Sequence, residues 1–334
     1  MTVTTIPTKA RGDETSLLAG GAGLPPFDPQ DVVRHGANAH RTGRDDRGAE
    51  AARCSLWWER TPSLPNQRLG LIGHYAATNH AAGRELLRAA CAELASHGCT
   101  LAVGPMDGGT WRRYRLVTDP GSEAVPAFFL EPRNPPEWPA HFGAVGVTPL
   151  AHDYSAGTDR LDLEDPKAKR AEQRLGGLGI GFRCLEMNRW REELSEVPRL
   201  TTACFAQGFL YEPLSEADFL ADYEPLQSLV EPRLVVLAMH EDRPVGLAFC
   251  LPDWSQASRG EPVDTAILKT CAVRPDPIYA GLGGLLVQQA HRAARRLGFR
   301  RMIHALMHEA NPSLNISARY GKPFRRYTLF AKPL

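Results

Sequence analysis

The chain has 334 residues, 43% of them hydrophobic, and a formal net charge of +1; that suits one large domain or two ordinary ones and gives no global electrostatic case for nucleic acid or membrane binding. No run approaches the roughly 18 apolar residues of a membrane span, and the start, MTVTTIPTKARGDE, has neither a basic nor an apolar leader segment. Seven scattered cysteines without a C-x-x-C pair indicate no disulfide framework and no zinc site, and suit the reduced thiols of a cytoplasmic protein.

Residues 1–52 are rich in Gly, Ala, Pro, Arg and Asp without periodicity and read as largely disordered, with a short ordered patch near Leu24–Val33. Order is expected from Cys54–Trp58, then a strand Leu69–Ala77 and a helix Ala82–His97 whose Leu86, Leu87, Ala90, Cys91 and Leu94 recur at helical spacing. A strand Thr100–Gly104, a loop Pro105–Trp111, a strand-like Ala127–Leu130, a short helix around Trp138–Val145 and a strand near Thr148–Tyr154 complete a first α/β unit, residues 53–158. The charged, then glycine-rich segment within 159–182 reads as a linker. Beyond it, in 183–334, the pattern predicts helices around Arg189–Glu196 and Glu216–Tyr223 and a hairpin of Leu234–Met239 and Val245–Leu251. A strand Thr265–Val273, a helix Leu285–Leu297, a strand Arg301–His308, a short helix near Pro312–Tyr320 and a last strand Tyr327–Lys332 follow. The two halves share an order of elements, which reads as a weak internal repeat.

The densest signal is DTAILKTCAVRPDPIYAGLGG, Asp264–Gly284, a strand that meets a proline-broken turn and closely spaced glycines opening a helix. Gly281, Gly283 and Gly284 leave backbone N–H groups bare at the positive end of that helix, where a pyrophosphate fits. An ordinary strand-to-helix turn would use such glycines for close packing instead. Lys269 sits mid-strand, where an unpaired ammonium is costly; either its head escapes along the strand or it meets an anionic substrate in a cleft. Alternation puts Cys271 on the face of Lys269, and His304 and His308 on one face of their strand, where either suits general base work. The loop Gly104–Tyr114 gathers Asp107, Thr110, Trp111 and Arg113 as candidate substrate contacts.

On Val273-Arg274-Pro275 and Ile278-Tyr279-Ala280-Gly281-Leu282-Gly283, the second half resembles a GCN5-related N-acetyltransferase (GNAT) domain, whose loop reads Q/R-x-x-G-x-G/A after V-x-P. Ile278 stands where the family has Gln or Arg, which removes a side chain and leaves the backbone cradle. About Cys54–Ala156 resembles the same fold in degenerate form, because Thr78–Gly83 has no paired glycines. The resemblance implies a mixed-sheet α/β protein of two tandem GNAT-like domains with one acyl-CoA site, in the second. It places the co-substrate, acetyl-CoA or another acyl-CoA, against Cys271, Ala272 and Val273 and against Tyr279, Gly281, Leu282, Gly283 and Gly284, with Asn311 or Asn315 beside the pantetheine arm. No metal is implied.

The reaction implied is acyl transfer to the amine of a small molecule, amino acid or peptide, with His308, Glu309 or His304 as base. The family's tyrosine acid would fall four residues before Gly321, where Ser317 stands, so protonation of the thiolate falls to Ser317 or to water. From Arg274 onward eleven basic residues face two acids. That excess keeps open a tRNA partner and an aminoacyl-tRNA-dependent transfer, and the missing tyrosine keeps open a non-catalytic acyl-CoA sensor.

Overall fold

In the computed structural model, residues 2–7, 23–121 and 125–334 are described. The first half contains β1 (Thr2–Pro7), α1 (Gln30–Arg34), β2 (Ala39–Arg44), β3 (Glu50–Trp57), β4 (Leu69–Ala77), α2 (His80–Ser96), β5 (Leu101–Gly104), β6 (Leu116–Asp119), α3 (Trp138–Gly143) and β7 (Thr148–Thr158). The second contains α4 (Pro166–Gly176), β8 (Gly181–Cys184), α5 (Trp190–Phe205), α6 (Glu216–Tyr223), β9 (Val236–His240), β10 (Arg243–Pro252), α7 (Trp254–Ser258), β11 (Thr265–Val273), α8 (Leu282–Arg296), β12 (Arg301–His308), α9 (Pro312–Ser317) and β13 (Lys322–Pro333).

All strands join one mixed sheet in the order β1-β2-β3-β4-β5-β13-β7-β12-β11-β10-β9-β8, with β6 also on β13. Two pairs are parallel, β4 with β5 and β11 with β12. With β6 and α7 set aside as insertions, the order β2-β3-β4-α2-β5-α3-β7 is matched by β9-β10-β11-α8-β12-α9-β13. Each half gives its last strand to the other: β7 lies beside β12, β13 lies beside β5, and the two pair antiparallel along the seam from Lys322↔Gly157 to Ala331↔Thr148. Tyr327–Ala331 of β13 are buried throughout, as a strand covered on both faces must be.

Helices cover both faces. On β10, Ala248 and Cys250 join the cluster under α8, whereas Leu247 and Leu251 join the cluster with Leu194 and Leu200 of α5. In α8, Leu282, Leu285, Leu286, Ala290, Ala293 and Ala294 make the buried stripe that seats it on the sheet.

Three expectations are revised. Residues 159–182 are not a bare linker: Asp165 caps α4, accepting from Lys167 N at 3.0 Å, and Pro166 opens it. Gln288 of α8 then clamps that region, accepting from Asp165 N at 2.8 Å and donating to Leu163 O at 2.9 Å. Within 1–52, β1, α1, β2 and the first residues of β3 are built, because β2 pairs with the apolar β3 and β1 with β2; residues 8–22 lie outside the described residues. Ala127–Leu130 forms no strand; Leu130 takes φ 61° and Phe128 instead packs under Ile267 and Ile303.

Candidate active site

The strands β11 and β12 run together for four residues, Thr265↔Arg301 to Leu268↔His304, and then part. Both are bulged at that point. Phe249 and Cys250 of β10 pair with Thr270 and Leu268, leaving Lys269 as the extra residue. On β12 the register against β7 slips between His304 and Met307, where Leu306 takes φ 59° and donates its N–H to Ser155 Oγ at 3.2 Å. Among the described residues no hydrogen bond joins Lys269–Val273 to the far part of β12, so backbone groups on that edge of β11 are left for a ligand.

The bulge corrects one expectation. It resets the alternation, so Cys271 turns to α8, its Sγ 3.8 Å from Gly283 O, while Lys269 turns to the opposite face near Arg115 and Glu131. Burial, with the Arg115 charge, lowers Lys269 to about 8, against the pull of Glu131. Both neighbours are committed elsewhere: Arg115 is paired with Asp153, and Glu131 accepts from Arg325 Nη1 at 2.5 Å and from the Tyr327 hydroxyl. Lys269 itself makes no hydrogen bond or ion pair among the described residues. Cys271 is pushed up to about 12 by burial and is no nucleophile.

The glycine turn starts α8 with Gly281 at φ 84° and no side-chain cap, and the first helical bond is Leu285 N to Gly281 O at 3.1 Å. The N–H groups ahead of Leu285 therefore have no intrahelical partner. Arg174 of α4 fixes the turn, donating to Ile278 O at 2.9 Å and to Ala280 O. A Cβ at Gly283 would stand 3.4 Å from Ile316 Cδ1, and one at Gly284 3.4 Å from Arg319 Nη1, so the glycines keep the backbone close to both neighbours.

The other expected contacts divide. Leu282 and Ala272 are core side chains that can offer backbone alone. The Tyr279 hydroxyl turns away to His240 Nδ1 at 3.0 Å. Asn311 is spent capping α9, accepting from Ser313 N at 2.9 Å, whereas Asn315 is exposed.

His304 and Ser317 are not in the cleft. His304 Nδ1 lies 2.8 Å from Ser317 Oγ and Nε2 lies 2.8 Å from His291 Nε2, all three side chains being buried. Burial lowers His304 to about 3, so the ring stays neutral with both nitrogens occupied. His308 lies at the open end of β12, its ring 4.9 Å from that of Phe209. Its Nδ1 accepts from Ala310 N at 3.1 Å, so in the neutral ring the proton sits on Nε2, which has no partner. Glu309 is exposed and accepts from His152 N at 3.0 Å.

The loop after β5 bridges the halves. Trp111 Nε1 donates to Glu212 O at 3.0 Å and its ring meets Phe219 edge-on at 5.8 Å. Arg113 donates to Arg133 O at 3.2 Å. Asp107 is buried and accepts from His74 N at 2.5 Å, which makes it part of the frame. Thr110 is half-buried beside Trp111 in the chain.

In the first half the matching features are closed. Asn79 caps α2, accepting from Ala82 N at 3.0 Å, and a Cβ at Gly83 would fall 2.4 Å from both Tyr75 Oη and His141 Nδ1. Where β4 and β5 part, Met106 N bonds Ile72 O at 2.9 Å and His74 N bonds Asp107, bridging the gap. Only one of the two like units keeps an open helix end facing parted strands.

Residues 194–319 match the model of the acetyltransferase (GNAT) family. The matched stretch, within the second half, is a GNAT domain. Among solved structures, the chain is similar in fold to a GCN5-related N-acetyltransferase from Sphaerobacter thermophilus, at 14% identity and TM-score 0.50, over 92% of this chain and 85% of that one. It is also similar to a GCN5-related N-acetyltransferase from Anabaena variabilis, at 9% identity and TM-score 0.52, over 99% and 73%. A third is the GCN5-related glucosamine N-acetyltransferase region of a fungal multi-domain GH3 β-N-acetylglucosaminidase, at 14% identity and TM-score 0.55; this chain spans 38% of that chain's length. No curated protein sequence matches. The GNAT loop lies on the α8 turn, inside the matched range, and the paired topology of the halves gives the tandem arrangement. Among the described residues no cluster of His, Cys, Asp or Glu could hold a metal ion, and no helix is long and apolar enough to cross a membrane.

Proposed function

We propose that the GNAT domain transfers an acyl group from acyl-CoA, acetyl-CoA in the simplest case, to the amine of a small molecule, amino acid or peptide. The observation that carries this reading is the uncapped start of α8 at Gly281, set against parted strands, when the equivalent helix end of the first half is capped by Asn79. The N–H groups of Gly281–Gly284 would hold the pyrophosphate, with Arg319 alongside. Free backbone groups of β11 beyond Leu268 would accept the developing oxyanion of the thioester carbonyl.

Lys269 carries the proton work in this reading. A lysine lowered to about 8 can take the proton of the attacking ammonium, and as a cation it can equally hold an anionic acceptor. The amine nitrogen bonds the acyl carbon, the carbon–sulfur bond breaks, and the departing thiolate receives the nitrogen's second proton by way of water. His308 offers a hydrogen bond and no proton: its Nδ1 lone pair is taken by the Ala310 N–H, which leaves the unpartnered Nε2–H to steady the acyl or acceptor group. Glu309 remains the candidate for guiding the acceptor's ammonium at the exposed end of β12.

A tRNA donor loses support. Arg292 pairs with Glu164 at 2.5 Å and Glu172 at 2.7 Å, Arg319 with Asp165 and Arg325 with Glu131, so acids from outside 274–334 neutralise part of the basic excess. The test is calorimetric titration of acetyl-CoA into wild type and into Gly281→Glu and Gly283→Glu. Micromolar binding lost in folded variants supports the reading; absence of binding by any CoA species, or binding indifferent to both substitutions, overturns it.

A further inference from the structure

A second polar site lies apart from the α8 turn. A cavity of about 350 Å3 opens between Gly108–Arg112 of the first half, the end of α1, and segment 212–218 of the second half. Three cations, Arg34, Arg60 and Arg112, line it together with three acids, Glu59, Glu212 and Asp218. Arg34 is paired with Asp31, and Asp218 accepts from Ser215 Oγ at 2.6 Å. Arg112 is ion-paired with Asp222 at 3.6 Å, yet its buried Nε makes no hydrogen bond. A buried donor left unmade costs more than a typical bond returns, so this position awaits an acceptor.

His35 reaches the same cavity from a chain of buried polar groups. Its Nδ1 lies 2.8 Å from His74 Nε2, His74 Nδ1 lies 2.8 Å from Ser55 Oγ, and Ser55 Oγ lies 2.8 Å from His40 Nδ1. Asp31 stands 3.7 Å from His35 Nε2 and Asp107 4.0 Å from His74 Nε2. The charges of Arg34 and Arg112 bear on both His35 and His74, with Arg53 and Arg113 also on His74, and Asp218 offsets them at His35. Burial keeps the rings neutral; the inner wall presents guanidinium groups, two of them facing Asp31 and Asp222, while the rim carries Glu59, Glu212 and Asp218.

That arrangement selects charge in two places. A plain dianion meets Glu59, Glu212 and Asp218 on its way in; a zwitterion satisfies both sets, its carboxylate on Arg112 and its ammonium toward the acids. We propose that this cavity is a binding site for a free amino acid, walled by both halves and separate from the acyl-CoA site.

The experiment is calorimetric titration of the twenty amino acids, with succinate and inorganic phosphate as anions lacking an ammonium, into the full chain. One or more amino acids bind, and Arg112→Gln and Asp218→Asn each weaken that binding at least tenfold. Gly281→Glu leaves it unchanged, so failure of the acyl-CoA reading and failure of this one are distinguishable. Should Arg112→Gln not fold, Gly109→Glu serves instead: Gly109 lines the cavity and a Cβ there has no heavy atom within 4 Å, so a carboxylate is added at the wall without touching the core. Binding by none of the amino acids, binding indifferent to these substitutions, or equal binding of succinate or phosphate overturns the proposal.

Discussion

Arg319 Nη1 lies 2.5 Å from Asp165 Oδ2, and the same nitrogen would stand 3.4 Å from a Cβ at Gly284. The N-cap residue of α4 thus holds a guanidinium beside the start of α8. Arg319→Gln is expected to weaken acetyl-CoA binding about tenfold, the worth of one charge-assisted contact of about 1.5 kcal/mol, with little change in folding. Calorimetry alongside a thermal melt checks both halves of that statement, and undiminished affinity would remove Arg319 from the site.

His304 and Ser317 should behave as packing, despite their chemistry. Ser317→Ala leaves a buried imidazole nitrogen without a partner and should cost about 1–3 kcal/mol of stability. Turnover per folded molecule should stay within about twofold. Urea unfolding and steady-state rates on the same sample separate the two effects.

Stability should fall as the solution is acidified from neutrality. His35, His40, His74 and His304 are each lowered to about 3, and His291 to about 4, chiefly by burial. A base lowered in the folded state costs nothing above its ordinary value of 6.5, and the unfolded chain gains the proton as pH drops below that. Asp107, raised to about 6 by burial, works in the opposite direction between 6 and 3.8, as one group against five. Between pH 6 and pH 5 the unfolding free energy read from urea titration should therefore drop by more than one titrating group supplies, about 1.4 kcal/mol per unit.

Lys269→Met should raise stability and lower turnover together. An ammonium surrounded by protein and lowered to about 8 destabilises the fold at pH 7, and this penalty fades as pH rises from about 8 toward 10.5. Wild-type kcat/KM should climb through pH 8 as the amine loses its proton, and the variant should lose that limb. A variant with an unaltered pH profile would leave Lys269 a bystander.

Much of the second half was legible because its signals are local. The glycine turn, the apolar β11 and the stripe of α8 are each contained within about twenty residues of sequence. The bulge at Lys269 was not legible, since it is defined by the partner strand's register, and it moved Cys271 to the other face. Asn311 and Tyr279 matched expected positions, yet their side chains were claimed by a helix cap and by His240, partners that spacing does not reveal. The basic run after Arg274 is partly offset in the same way, because carboxylates for Arg292, Arg319 and Arg325 come from Glu131 and from residues 164–172. The polar chain from His35 to His40 left a faint trace: His40 and Ser55 are directly paired across β2 and β3 in a segment whose composition suggested disorder.

The exchange of β7 and β13 bears on how this protein can be dissected. A fragment starting after Thr158 would keep the glycine turn and α8, but β12 would lose its neighbour along Met302–His308 and β13 would lose all three of its own, β5, β6 and β7. Two such raw edges invite association with any extended chain. Separately expressed halves should be insoluble alone and soluble when mixed, recovering through a noncovalent complementation that uses the same seam.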